Sequence, residues 1–376
     1  MTDDSVPPQR NSTRPLFVLL PVITVCWLVL AAVTVTWGVR IQRWQLAPGA
    51  AMDVSPRIAF RASDGSSQQP PKRYPAEHSI KFVTAFGGQV SALDALLGWL
   101  DPNVEVQTYK EHFGEQTPGG SKVIGFQAMY GAKQVAEYVA MKRLGLDAKF
   151  EEGIIAVADL VCTDDPLPDS ACKKLKQGDT IVALDGVDTP TLSALAEQMK
   201  GRAAGQKVTI TVAHGGKDPA KKANHTEVTV ELMKSPDDPT HTIIGFVPAD
   251  SRTVKLPFEV AISTSDIGGP SAGLAFTLAL LDELTPGNLM GKGHVVATGT
   301  MNEDGTVGAI GALRQKSIAV RDAGATLFLV PAGQSDEELA AARAAAGTGV
   351  RIVRVATLDE ALRVLAQNGG SGLPQK

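Results

Sequence analysis

The periodicity of apolar and polar positions changes along the chain, and each change marks a different kind of structure. Residues 15–39 carry no charge, and a helix of that length, at about 1.5 Å per residue, spans the ~30 Å core of a bilayer. Residues 150–233 contain short alternating runs such as Lys207–Ala213, which are typical of half-buried strands. From Leu256 onward, apolar strand-like runs alternate with helical spacing. We therefore predict an α/β multidomain protein with an N-terminal transmembrane helix and a β-rich middle.

The apolar helix at 15–39 is predicted to be an uncleaved anchor. A cleaved signal peptide usually has a shorter apolar region of about 7–15 residues, and no Ala-x-Ala site follows at once. A cleaved signal and a buried soluble helix remain alternatives. Arginines flank the segment on both sides in nearly equal number, so charge does not decide its orientation. The short N-terminus favours a single-pass protein of the cell membrane with the bulk of the chain extracytoplasmic.

Changes in composition between these segments suggest where the domains begin and end. Prolines 236, 239 and 248 indicate a linker, and the Gly- and Ser-rich end indicates disorder. The predicted segments are a cytoplasmic tail at 1–14, the transmembrane anchor at 15–39, an N-terminal extracytoplasmic region at 40–145, a β-rich domain at 146–235, a linker at 236–252, an α/β domain at 253–367 and a disordered tail at 368–376.

Charge and cysteine content narrow the classes of partner. The formal net charge is -4 and no long basic run occurs, so nucleic acid is not expected as a partner. The six histidines form no metal-ligand motif, so we expect no metal and no cofactor. Cys162 and Cys172 lie ten residues apart around a turn-rich stretch. They form either a loop disulfide, stable only in an oxidising compartment, or two unrelated free thiols.

Ser271 is the first candidate catalytic residue. It lies in the turn Gly268-Gly-Pro-Ser-Ala-Gly273 before an apolar run that predicts a buried helix. The amides of such a turn, including Gly269 and Ala272, point to a site for an oxyanion at a helix N-terminus. The alternative is a serine that merely caps the helix.

Lys316 is the second candidate. On the helix predicted from Gly311, it shares one face with Leu313 and Val320. A lysine on an apolar face is costly unless paired or neutral, and burial lowers its pKa, as a general base at neutral pH requires. The alternative is a lysine at the edge of that face whose amine reaches solvent.

Three further residues are assigned supporting roles with alternatives left open. Asp266 either orients the site or caps a turn, the turn being favoured. Thr298 and Thr300 either hydrogen-bond to Lys316 or are ordinary strand threonines.

The middle of the chain resembles a PDZ domain of the bacterial protease type. The matching segments are Leu175-Lys-Gln-Gly-Asp-Thr-Ile-Val-Ala-Leu-Asp-Gly186, a helix after it, and Gly205-Gln-Lys-Val-Thr-Ile-Thr-Val212. The resemblance implies that an extended peptide, by a terminus or an internal segment, adds to a sheet edge, with Gly145-Leu146 and the strand from Gly153 as the expected groove wall. A generic small β-rich domain is the alternative.

The C-terminal part resembles the proteolytic domain of Lon proteases over about residues 255–365. Five segments carry the match in order: Asp266–Gly273, Ala297–Thr300, Asp304–Gly311, Lys316 and Phe328–Pro331. The resemblance implies a Ser-Lys dyad with Ser271 as nucleophile and Lys316 as general base, and it suggests hexamers. With the anchor and the PDZ-like block, the whole chain resembles a membrane-anchored PDZ–Lon-like protease of Gram-positive bacteria.

The resemblance therefore predicts a serine endopeptidase. We expect it to be independent of ATP, because no Gly-x4-Gly-Lys-Ser/Thr run is present. Its expected substrates are peptides or unfolded or membrane-associated proteins, selected by the PDZ-like domain. The alternative is a non-catalytic, membrane-tethered scaffold that binds peptides.

Overall fold

A computed structural model describes residues 14–62, 71–74, 80–114, 118–163, 165–214, 219–236, 238–249 and 251–373. The predicted cytoplasmic tail at 1–14, except for Arg14, lies outside this range. The mixed α/β fold class is confirmed. The chain forms two compact units, one from residues 1–47 and 86–114 and the other from 48–85 and 115–376. The domain boundaries proposed at 145/146 and 252/253 both fall inside the second unit and stay a prediction.

Ten α-helices lie within the described residues: α1 (Arg14–Gly38), α2 (Ala92–Leu100), α3 (Tyr109–Phe113), α4 (Pro118–Leu144), α5 (Ala171–Lys174), α6 (Leu192–Met199), α7 (Gly273–Leu284), α8 (Leu313–Asp322), α9 (Asp336–Ala346) and α10 (Leu358–Gln367). The strands are β1 (Arg40–Asp53), β2 (Ile58–Ala62), β3 (Lys81–Ser91), β4 (Glu105–Thr108), β5 (Lys149–Glu151), β6 (Ile155–Leu160), β7 (Thr180–Leu184), β8 (Val187–Asp188), β9 (Lys207–Ala213), β10 (His225–Glu231), β11 (Met233–Lys234), β12 (Thr242–Ile243), β13 (Phe246–Pro248), β14 (Thr253–Lys255), β15 (Phe258–Ile262), β16 (Val295–Ala297), β17 (Thr300–Met301), β18 (Val307–Gly308), β19 (Leu327–Pro331) and β20 (Arg351–Val355).

The first unit contains α1, the N-terminal part of β1, the C-terminal part of β3, and α2, β4 and α3. Within α1, Leu19–Gly38 is long and apolar enough to cross a membrane, and none of that stretch is buried. β4 pairs antiparallel with β1, with Arg43 opposite Thr108. Ser91 begins α2 through a capping box with Asp94, which satisfies two backbone N–H groups at the helix start.

The C-terminal part of the second unit is built on a parallel sheet. β16 lies between β3 and β19, and β20 pairs with β19, all in parallel. α7 packs inside this region with every residue from Gly273 to Glu283 buried, which agrees with its nearly continuous apolar sequence. Loops at the carboxyl ends of parallel strands are where α/β folds hold their ligands, and Thr298 follows β16 at such an end.

The β-rich part of the second unit has the strand order β10-β9-β7-β6-β13, with β8 paired to β7. The Asp185-Gly186 pair in the sequence predicts a two-residue turn after β7, and the turn is present, because the two residues have φ of 48° and 77°. Thr189, followed by Pro190, is the N-cap that the sequence predicts for the next helix, and this prediction is wrong. Thr191 is the N-cap, and its side chain accepts from the N–H of Ala194, while Thr189 is buried ahead of it.

Two segments predicted to be irregular contain strands or backbone hydrogen bonds in their described residues. The region 236–252 was expected to be a linker, but it contains β12 and β13, and β13 pairs with β6 from Phe246 to Pro248. The tail at 368–376 was expected to be disordered. Its described residues, 368–373, form backbone hydrogen bonds with the rest of the domain. The N–H of Gly370 donates to the carbonyl of Leu365, and the N–H of Ser371 donates to the carbonyl of Asn288. Short strands and a C-terminal turn give too few periodic positions to detect from sequence.

Candidate active site

The turn between β15 and α7 carries Ser271. The backbone of Gly269 has φ of 91°, a conformation that a side chain would strain. Ser271 lies two residues ahead of α7, whose N-cap is Ala272, and no side chain caps the helix. The capping interpretation of Ser271 is therefore excluded, and its hydroxyl remains available for other contacts.

The residues after β16 hold the serine in place from the other side. The Thr298 hydroxyl and the Gly299 N–H both donate to the carbonyl of Ser271, at 3.1 and 2.8 Å. The N–H of Leu274 in turn donates to the carbonyl of Gly299 at 3.1 Å. Thr298 is fully buried. These three bonds fix the backbone of the serine turn against the end of the parallel sheet.

Lys316 lies in the middle turns of α8. This helix begins after Ala312, which adopts φ of 57°. The predicted face is confirmed as an inward one, because Leu313, Lys316 and Val320 are all buried. Lys316 is only 5% exposed, so its amine does not reach bulk solvent as the alternative interpretation required.

The two candidate residues meet. Lys316 Nζ donates a hydrogen bond of 2.9 Å to Ser271 Oγ. Burial lowers the pKa of Lys316 from its ordinary 10.5 to about 8, because desolvation disfavours the charged amine. Among the described residues no carboxylate forms an ion pair with it. A lysine of this kind is partly neutral near physiological pH and can accept the serine proton.

The two amides predicted as oxyanion donors differ in availability. The N–H of Gly269 donates to the carbonyl of Gly125 in α4 at 2.7 Å, so Gly269 is already engaged and is not a free donor in this structure. The N–H of Ala272 has no such acceptor among the described backbone groups. The hydrogen bond between Gly269 and α4 could not be predicted, since no local pattern links residue 125 to residue 269.

Neither Asp266 nor Thr300 forms a hydrogen bond with Ser271 or Lys316. Asp266 is exposed in the turn and forms no hydrogen bond or ion pair with the described residues. Thr300 lies in β17 opposite Gly308, where a Cβ added to Gly308 would come 2.3 Å from its hydroxyl oxygen. Thr298 hydrogen-bonds to Ser271 rather than to Lys316, so neither predicted threonine–lysine contact is present.

Two glycines support the site that the sequence did not single out individually. Gly299 has φ of 151°, and a Cβ there would lie 2.5 Å from Val307 Cγ1. Gly268 allows the serine turn to approach α4, because a Cβ on Gly268 would lie 3.1 Å from the carbonyl carbon of Gly125. Both glycines lie in segments that the sequence analysis named, but no local pattern indicated which atoms they approach.

Cys162 and Cys172 are joined by a disulfide, with 5.4 Å between their Cα atoms. The bond closes the loop between β6 and α5. Cys26 is the free cysteine among the described residues and lies in α1. Within the part of the chain that the structure describes, no group of three or more His, Cys, Asp and Glu residues is arranged to hold a metal.

A groove of about 500 Å³ lies beside the β-rich sheet, between α6 and the segment that contains β12 and β13. It is lined mainly by apolar side chains, among them Leu195, Met199 and Phe246. Neither Gly145-Leu146 nor the strand from Gly153, the predicted wall, borders this groove, and β13 pairs with β6. The outer strands of the sheet are β10 and β13, and the groove borders β13 through Phe246 and Pro248.

Comparison with known proteins identifies the C-terminal region. Residues 259–368 match the family described as the Lon protease (S16) C-terminal proteolytic domain. A Lon protease of Campylobacter concisus is 33% identical over 95 residues, which is 25% of this chain and 12% of that protein. A Lon protease of Xanthomonas oryzae pv. oryzae is 28% identical over 141 residues, 38% of this chain and 14% of that protein. The match thus spans only a small part of these relatives.

Solved structures of PDZ domains are similar to part of the chain at low identity. The PDZ domain of an SdrC-like protein from Listeria monocytogenes is 20% identical, covers 27% of this chain and 90% of its own length, and has a TM-score of 0.20. The PDZ domain of an SdrC-like protein from Listeria innocua is 19% identical, with 25% and 92% coverage and a TM-score of 0.19.

Proposed function

We propose that this chain is a membrane-anchored serine endopeptidase in which Ser271 is the nucleophile and Lys316 the general base. The observation that carries the proposal is the 2.9 Å contact between Lys316 Nζ and Ser271 Oγ within a region that matches a proteolytic domain. The lowered pKa of Lys316, about 8, supports the role of base.

The proposed reaction has two stages. In the first, neutral Lys316 Nζ accepts the Ser271 proton while Oγ attacks the peptide carbonyl carbon, and the charged lysine then protonates the leaving amine as the C–N bond breaks. In the second, Lys316 takes a proton from a water molecule that attacks the acyl ester, and Ser271 regains its proton when the acid leaves. No other proton carrier is required.

The oxyanion of each tetrahedral intermediate is proposed to lie against the N–H of Ala272. A donor of this kind contributes about 3–4 kcal/mol to transition-state stabilisation in other acyl-transfer enzymes. The Gly269 N–H joins it only if its bond to Gly125 opens when substrate binds. Ala272 is therefore the primary donor in this proposal and Gly269 a conditional one.

We propose that cleavage needs neither ATP nor metal. The absence of a Gly-x4-Gly-Lys-Ser/Thr run in the printed sequence supports this. Without a motor to unfold substrates, the enzyme is restricted to peptides and to unfolded or membrane-associated proteins.

The groove beside α6 is proposed to select those substrates. An extended peptide would pair with the β13 side of the sheet, and its side chains would fill the apolar space lined by Leu195 and Met199. The apolar length of α1 supports a membrane anchor, and the Cys162–Cys172 disulfide supports an oxidising, extracytoplasmic location. Hexameric assembly rests on the resemblance to Lon-type domains alone.

Proteolysis by the full-length chain in detergent tests the proposal. Cleavage of an unstructured polypeptide is expected in the presence of a chelator and without nucleotide, and Ser271→Ala and Lys316→Ala should each abolish it. Lys292→Ala is a matched control, because that lysine is exposed and belongs to neither the dyad nor the turn. Equal cleavage by wild type and Ser271→Ala would refute the mechanism, and no cleavage by wild type would favour the peptide-binding scaffold.

A further inference from the structure

Helix α2 is built with its large apolar residues on the outside. Its buried positions are the small residues Ala95 and Gly98. The outward positions are all apolar and exposed: Leu96 at 52%, Leu97 at 55%, Trp99 at 62% and Leu100 at 75%. Soluble proteins rarely expose contiguous apolar surface of this kind unless it contacts a partner or a membrane.

The orientation of α2 is fixed by close packing on its inner side. A Cβ added to Gly98 would lie 2.8 Å from Val106 Cγ2 and 3.2 Å from Val104 Cγ1, so a side chain there would displace these valines. The capping box of Ser91 and Asp94 fixes the start of the helix. The helix therefore cannot turn its leucines inward without losing this contact.

The start of α2 is bonded to the residues that follow α1. The N–H of Ala92 donates to the carbonyl of Val39 at 3.1 Å. Arg40 reaches the same region, with Nη1 at 3.2 Å from the carbonyl of Gln89 and 3.7 Å from Asp94 Oδ2. Since the apolar stretch of α1 ends at Gly38, α2 begins at the depth where that stretch ends.

We propose that Leu96, Leu97, Trp99 and Leu100 form a lipid-binding surface that lies in the interfacial layer of the leaflet where α1 ends. This inference rests on the proposed membrane anchor. An indole suits the interface because its ring is apolar and its N–H is polar. α2 contains no Lys or Arg, so apolar burial rather than attraction to anionic headgroups drives the contact, and salt does not release it.

Tryptophan quenching by brominated lipid tests the surface in the full chain. The protein is reconstituted in phosphatidylcholine vesicles with or without bromine near the headgroup end of the acyl chains. Trp44 is kept in every variant, because it packs against Tyr109, His112 and Phe113. W27F/W37F minus W27F/W37F/W99F gives the signal of Trp99, and W27F/W99F minus the same triple variant gives that of Trp37.

The expected result is a loss of Trp99 emission comparable to that of Trp37 and unchanged at high salt. Quenching of Trp37 without quenching of Trp99 would overturn the lipid surface while the anchor stands, and quenching of neither would overturn the anchor itself. Trp99 shielded from aqueous acrylamide yet not quenched by lipid would assign the surface to a protein partner or a second copy instead.

One double variant in α2 and one control variant outside it distinguish loss of lipid contact from misfolding of α2. Leu97→Glu/Leu100→Glu should reduce the quenching of Trp99 while leaving the circular dichroism spectrum unchanged. Leu167→Glu is the matched control, because Leu167 is also 55% exposed but lies outside α2, and it should leave the quenching unaltered. Full quenching in the double variant would contradict the proposal.

Discussion

The buried lysine makes the pH dependence of cleavage the most quantitative prediction. kcat/KM reports the ionisation of the free enzyme, and the proposed mechanism requires Lys316 to be neutral. With a pKa of about 8, the neutral fraction rises roughly 90-fold between about pH 6 and about pH 9. An ordinary exposed lysine with a pKa of about 10.4 would show a continuing tenfold rise per pH unit through about pH 9.

The assay is cleavage of an unstructured peptide that lacks histidine, so that the substrate does not titrate in the range measured. Log kcat/KM should rise with a slope near one below about pH 8 and then level off. A flat profile would refute the role of Lys316 as base. A midpoint near 6.5 would point to a histidine instead.

One other described group requires a control. Burial raises the pKa of Glu137 in α4 to about 8, with nearby Lys133 acting in the opposite direction. If ionisation of this carboxyl affects cleavage, kcat/KM would change near pH 8 for a reason unrelated to Lys316. Glu137→Gln should therefore leave the midpoint unchanged if Lys316 is responsible, and loss of the midpoint in that variant would assign it to Glu137.

Three further predictions concern Thr298, the stability of the Lys316 variant, and the disulfide. Thr298→Val removes the 3.1 Å hydroxyl bond to the Ser271 carbonyl but keeps the Gly299 N–H bond, so kcat should fall by about five- to tenfold, for a loss of about 1 kcal/mol, with KM little changed. Lys316→Met should be more stable than wild type below pH 8. The folded pKa of about 8 lies below the ordinary 10.5, so between these values only the unfolded state holds the proton, and wild-type stability rises with pH by roughly 3 kcal/mol relative to the variant. Denaturant unfolding at a series of pH values measures the difference, and a constant difference would contradict the burial cost. Thiol counting of denatured, unreduced protein should find Cys26 alone reactive, whereas three reactive thiols would remove the disulfide.

The contact between Ser271 and Lys316 could be expected from the sequence, because both residues lie in segments with local signatures. Helical spacing assigned Lys316 to an apolar face, and the structure buries it there. The glycines of the serine turn indicated an unusual backbone, and Gly269 has a positive φ. Each of these patterns depends on residues within one or two turns of chain, where sequence periodicity is informative.

Contacts between distant segments could not be predicted in the same way. The bond from Gly269 to Gly125 joins residues far apart in sequence, and it changed which amide is free for an oxyanion. β13 has three residues and follows a proline-rich stretch, so its pairing with β6 gave no periodic pattern. The sequence pattern predicts a helix only from Met129 to Leu144, so the start of α4 at Pro118 was missed. Its first turns contain glycines, which have low helix propensity, and packing of the helix against α7 overrides that preference.

Covalent labelling is the most direct test of Ser271 as the nucleophile. The full-length chain is treated with a fluorophosphonate, digested, and analysed by mass spectrometry. One adduct is expected, on Ser271, that is absent in Ser271→Ala and forms much more slowly in Lys316→Ala, because the hydroxyl then lacks its base. An adduct on a different serine, with proteolysis retained in Ser271→Ala, would show that Ser271 is not the nucleophile.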